Sequence, residues 1–109
     1  DREDEQVSNL FNPLHPAVLQ LIQITLQAAH RSKKPVSICG EIAGDPRFSP
    51  LLIGLGVREL SMTSQNIPRV KQRIRALKTG PATRRAMAIL DQTDEDQVQR
   101  LLDDFNDGI

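Results

Sequence analysis

The chain has 109 residues, enough for about one domain. Its 14 basic and 14 acidic residues cancel, and it carries three Phe with no Trp or Tyr. That composition argues against a basic nucleic-acid footprint and against a set of base-stacking platforms, and no apolar run approaches the roughly 20 residues of a membrane span.

Residues 1–12 are polar, with an acidic start, and read as loop. Asp1 stands where a complete chain would have Met, so the sequence reads as a piece of something longer, without a secretory signal. Pro16 suits the first turn of a helix, where its missing N–H costs nothing. Leu19, Ile22, Leu26 and Ala29 follow at steps of three, four and three, the spacing of one apolar helical face. Lys33 and Lys34 complement the negative end of that helix, and Pro35 stops it. Val36 to Cys39 is a short strand, with Val36 and Ile38 on one face and Ser37 and Cys39 on the other. Gly40 to Pro46 reads as a loop.

Ser49 to Gly54 resumes as a short apolar helix that Gly54 and Gly56 bring to an end. Glu59 to Met62 is a second strand, with Leu60 and Met62 facing one way and Ser61 the other. Asn66 and Pro68 open a helix carrying Ile67, Val70, Ile74 and Leu77 on one side, and Gly80-Pro81 breaks it. Pro81 to Leu90 forms a further helix. Thr93 caps the last, with Asp94, Glu95 and Asp96 in its first turn and Val98, Leu101, Leu102 and Phe105 as its buried stripe. Helices alternating with strands imply parallel pairing and the α/β class. Two parallel strands do not close a sheet. The expectation is a helix-rich fragment, residues 1–109, that supplies the last two strands and final helices of a (β/α)₈ barrel, whose whole domain needs about 250 residues.

Chemistry concentrates at Ser37-Ile38-Cys39-Gly40-Glu41. The C-terminal end of a parallel strand is where such folds place reactive groups. A thiol there can donate a proton if its environment tunes it. It can equally be a small buried hydrophobe, the usual state of a free cysteine. As the sole cysteine, Cys39 excludes an intrachain disulfide and suits a reducing, cytoplasmic setting. Arg2 offers a guanidinium fork for phosphate or carboxylate, a signal of little weight alone. From Arg69 through Lys71, Arg73, Arg75, Lys78, Arg84 and Arg85 the chain is basic, while the final helix is acidic. These read as two solvated faces of opposite sign, with anion binding as the sharper alternative. His15 and His30 read as structural, and neither metal-ligand spacing nor a Walker-type glycine loop is present.

Taken together, three segments resemble one family. Cys39-Gly40-Glu41-Ile42-Ala43-Gly44-Asp45 resembles the cysteine signature of the phosphoenolpyruvate-utilising barrel enzymes. Leu60-Ser61-Met62 with Ile67-Pro68-Arg69-Val70-Lys71 resembles the last strand and following helix of the enzyme I branch of that family. Asp1-Arg2, and then His15-Pro16-Ala17-Val18-Leu19, resemble the stretch after the family's metal-binding loop, although Asp4 stands where the family tends to have Asn. The resemblance fades after about Leu77. It leaves open the sugar-uptake and nitrogen-related branches, with pyruvate phosphate dikinases as more distant relatives.

The resemblance implies a phosphotransferase. Phosphoenolpyruvate and Mg²⁺ would bind at the mouth of the barrel, and the phosphoryl group would pass to a histidine on a separate domain and then to a carrier protein. Cys39 would protonate the enolate to pyruvate, Arg2 would hold substrate, and Gly40 and Glu41 would contact it from the loop. The metal ligands and the phosphohistidine would lie upstream. A homodimer of the full-length protein is implied too, and an isolated fragment with open strand edges would be inactive and self-associating. The competing expectation is a non-catalytic helical interaction module that docks an anionic partner through its basic face.

Overall fold

Residues 12–109 are described in the computed structural model. The first helix, α1, spans Pro16–Arg31. The His15 imidazole caps it, with Nδ1 accepting from the Ala17 N–H at 3.0 Å, and Pro16 fills the first helical position. Leu19 is fully buried, and Ile22 and Leu26 pack beside it, as the spacing predicts. Lys33, a non-glycine residue with positive φ (54°), turns the chain out of α1 toward Pro35.

β1 (Ser37–Cys39) and β2 (Glu59–Ser61) pair in parallel, with Ser37 opposite Glu59, Ile38 opposite Leu60 and Cys39 opposite Ser61. Val36 and Met62 fall just outside the ladder. Between the strands run α2 (Glu41–Gly44) and α3 (Ser49–Leu55). After β2 come α4 (Ile67–Arg75), α5 (Thr79–Leu90) and α6 (Glu95–Asp107). The result is a small, helix-rich α/β unit.

Two apolar clusters hold it. The larger joins α1, α3, α5 and α6 through Leu19, Leu51, Ala86, Ile89, Val98 and Leu102. The smaller, Ile42, Leu52 and Val57, lies under the sheet and receives Ile38 and Leu60. The opposite face of the sheet, made of Ser37, Cys39, Glu59 and Ser61, is exposed.

Several expectations are corrected. Residues Glu41–Gly44 form a helical turn where the glycines and proline suggest loop, because Ile42, Ala43 and Gly44 gain burial by coiling onto the sheet. Gly54 lies inside α3, and the helix ends at Gly56 alone, whose left-handed conformation (φ 106°) caps it. A β-carbon on Gly54 would fall 2.4 Å from the Ala82 carbonyl oxygen, so this glycine exists for the close approach of α3 and α5. The break after α4 falls at residues 76–78. Gly80 and Pro81 sit in the first turn of α5, where proline's missing N–H is harmless. Asp94 caps α6 in place of Thr93, its carboxylate accepting from the Asp96 N–H at 2.8 Å.

Candidate functional site

The strand ends build the site. Cys39 is the last residue of β1, exposed, and paired in register with Ser61, the last residue of β2. Adjacent strands lie about 4.8 Å apart, so the thiol and the Ser61 hydroxyl are neighbours on one polar face. Glu59 shares that face one pleat away. Within this chain Cys39 is exposed and does not pack as a small buried hydrophobe. Ile38 and Leu60 point the other way into the core, and that alternation turns Cys39 outward.

Gly40 follows with φ 89° and ψ −159°, a conformation that a side chain resists. It turns the chain directly into α2, whose first residue, Glu41, is exposed. At the far end of α2, a β-carbon on Gly44 would lie 2.8 Å from Asn66 Nδ2 and 3.3 Å from Met62 Cβ. The segments that leave β1 and β2 therefore touch. Asn66 is held there by donating to Thr63 Oγ1 at 3.1 Å. A cavity of about 510 Å³ opens beside this contact, lined by Glu41, Gly44, Asp45, Arg47, Asn66 and Arg69.

Arg47 grips Asp45 in a forked pair, with Nη2 donating to Oδ2 at 2.7 Å and Nε to Oδ1 at 3.2 Å. The Arg47 guanidinium holds the Asp45 carboxyl below the ordinary carboxylate range, against the opposing pull of partial burial, and Arg69 adds to the lowering through space. A larger cleft of about 660 Å³ lies at the other end of the strands, beside His30, Lys34, Val36, Arg58 and Glu59. Volume and chemistry disagree here. The strand C-termini carry Cys39, Gly40 and Glu41, which makes them the candidate site.

Of the sequence-predicted site residues, Cys39, Gly40 and Glu41 are contiguous at the end of β1; Glu41 lines the cavity at this mouth, and Cys39 and Gly40 do not. Arg2 lies outside the described residues. Sequence reasoning missed Arg47, Asn66 and Arg69 as mouth residues, and Glu59 as a companion of Cys39 on its face. Period-two alternation on β2 carries the signal for Glu59. Nothing local reveals the others, which depend on how the loops fold back. Among the described residues no three His, Cys, Asp or Glu side chains converge on a point that could hold a metal ion. This part of the chain therefore does not fit the carboxylate set that magnesium requires.

The sequence matches the family described as PEP-utilising enzyme, PEP-binding domain, over residues 1–79. The chain belongs to that family. It is 54% identical over 74 residues to a phosphoenolpyruvate-protein phosphotransferase of Cupriavidus necator, an alignment covering 68% of this chain and 13% of the relative. It is 38% identical over 105 residues to the protein of the same name in Haemophilus influenzae, covering 96% of this chain and 18% of the relative. A multiphosphoryl transfer protein of Escherichia coli is 39% identical over 105 residues, covering 96% and 13%. The chain thus spans less than a fifth of the length of these relatives. The family match stops at the first residue of α5, close to where the sequence resemblance fades, while the alignments to the last two relatives extend over nearly the whole chain. No described helix is long and apolar enough to cross a membrane.

Proposed function

We propose that the protein carrying this chain transfers the phosphoryl group of phosphoenolpyruvate to a histidine on a separate domain, and from there to a phosphocarrier protein, releasing pyruvate. Cys39 is the proton donor. The observation that carries this reading is the exposure of Cys39 at the C-terminal end of a parallel strand, followed at once by the Gly40 turn. The names of the relatives support it. In the transfer step the ester P–O bond breaks and a bond from phosphorus to the histidine nitrogen forms. The enolate left behind takes the Cys39 S–H proton on its methylene carbon. A C–H bond forms, the thiolate remains, and solvent returns its proton. A positioned acid of this kind contributes about 10²- to 10⁴-fold.

In this reading Arg2 holds the substrate's phosphate or carboxylate as a bidentate fork. Gly40 lets a ligand approach the backbone, and Glu41 stands at the rim. Magnesium, when bound, would neutralise charge on the phosphoryl oxygens, held by carboxylates outside the described residues. The open face of the β1–β2 pair supports assignment to the last two strands of a (β/α)₈ barrel, since parallel sheets are normally covered on both faces. A working thiol suits a reducing cytoplasm, and the full-length protein is a homodimer in this reading.

The test uses the full-length protein with labelled phosphoenolpyruvate and magnesium, beside its Cys39→Ala variant. The expected result is acid-labile phosphohistidine in the wild type and a fall of about 100-fold or more in pyruvate release in the variant. Wild-type pyruvate release by Cys39→Ala would remove the acid role. A wild-type protein that takes no label would remove the transferase reading and favour the interaction module.

A further inference from the structure

The fold divides the basic run of the sequence. Lys71, Arg75, Lys78 and Arg84 are exposed, and the Arg85 guanidinium lies over the Phe105 ring, 5.6 Å from its centroid. Arg69 and Arg73, one turn apart on α4, instead share a cavity of about 420 Å³ with Arg47, which arrives from the turn between α2 and α3. Pro46, Gln72, Ala76 and Ile109 complete its wall. No carboxylate side chain lines it among the described residues.

Two of these arginines are held in place. Asp45 forks the Arg47 guanidinium. Asn106 on α6 accepts from Arg73 Nη2 at 2.9 Å, and its own amide donates to the Arg47 backbone carbonyl at 2.9 Å. One neutral side chain therefore ties both arginine segments together without quenching a charge. The Arg69 side chain makes no hydrogen bond among the described residues. The counter-charges nearby are Asp45, engaged by Arg47, and Asp103, which acts on Arg47 through space. Arg69 and Arg73 from α4 and Arg47 from the turn before α3 line one cavity, Arg73 with its guanidinium positioned by Asn106, and guanidinium forks suit the oxygens of a tetrahedral dianion. Pro46, Ala76 and Ile109 offer an apolar wall for a short carbon body.

We propose that this cavity is a second anion site, for a phosphate dianion, either inorganic phosphate or the head of a small phosphomonoester. It adjoins the mouth cavity, with which it shares Pro46, Arg47 and Arg69, while Arg73 lines this cavity and not the mouth. The full-length protein would be titrated calorimetrically with glycerol 3-phosphate and with inorganic phosphate. Wild type and Cys39→Ala are expected to bind equally. Arg69→Gln and Arg73→Gln are each expected to weaken binding by about tenfold, the loss of one charge-assisted bond. Arg69→Lys, which keeps the charge without the fork, should fall between. Tighter binding of the ester assigns the site to a phosphomonoester, and equal binding assigns it to free phosphate. Thermal melts matching wild type show that the variants are folded, as the exposed position of Arg69 leads one to expect. Unchanged affinity in Arg73→Gln, the variant at the arginine that the mouth cavity does not share, or no binding of either ligand at millimolar concentration, overturns the proposal.

Discussion

Ala86, Leu51, Ile89 and Val98 are almost wholly buried where α3, α5 and α6 meet, while Ser37, Cys39, Glu59 and Ser61 on the strand pair are all exposed. The first region is closed on itself, and the second presents polar groups to whatever covers the sheet. The family match ends where α5 begins, so much of the packing lies beyond the matched stretch. In this chain, the packed core and the exposed strand face occupy different residues. Substitutions in one region should be nearly silent in the other.

Leu102→Ala tests the packed side most severely. Leu102 is 2% exposed at the centre of the larger cluster. Its truncation removes transfer energy and leaves a cavity, a loss of about 2–5 kcal/mol in urea denaturation. The rate at which Cys39 reacts with iodoacetamide in native buffer should not change. A loss below about 1 kcal/mol would mean that the site collapses around the missing atoms.

Gly54→Ala sharpens the same contrast by adding an atom. Alanine raises helix propensity by about 1 kcal/mol over glycine. The new methyl, however, would meet the Ala82 carbonyl oxygen at 2.4 Å and the Ala86 methyl at 2.7 Å. Backbone does not yield as a flexible side chain does, so overpacking should win, with a net loss of about 1–3 kcal/mol. A neutral or stabilising result would show that α3 and α5 can slide apart freely.

Residues 12–109 were legible in the sequence to different depths. The elements and the parallel pairing follow from apolar periodicity and from alternation of helix with strand, because burial imposes both patterns. The thiol, the Gly40 turn and Glu41 could be placed at one strand end because they are contiguous. What escaped depends on contacts distant in sequence. Gly54 looked like a helix stop because glycine often is one, and the reason for it is Ala82, 28 positions away. The loop reading of Glu41–Gly44 failed because burial of Ile42 and Ala43 outweighed local glycine content. The two charged helix faces read in sequence as solvated faces of opposite sign. Yet Arg73 and Arg85 reach α6 at Asn106 and Phe105, and among the described residues neither meets a carboxylate within ion-pair distance. Charge patterning gives the sign of a face and not its partner.

Asp45→Asn carries the smallest expected effect and is the most direct probe of the mouth. Asparagine keeps an acceptor for the Arg47 N–H, which Asp45 Oδ1 takes at 3.0 Å, so the change isolates the charge. The Arg47 side chain is 74% exposed, and solvent screens such a pair to less than about 1 kcal/mol. Because the Asp45 carboxyl is held below its ordinary range, its contribution is present at neutral pH and is lost as pH falls through that lowered value. The wild type should therefore exceed the variant slightly at pH 7, and the two unfolding curves should converge in acid. A loss at neutral pH as large as that of Leu102→Ala would break the division between the regions, since the mouth would then be part of what holds the chain folded.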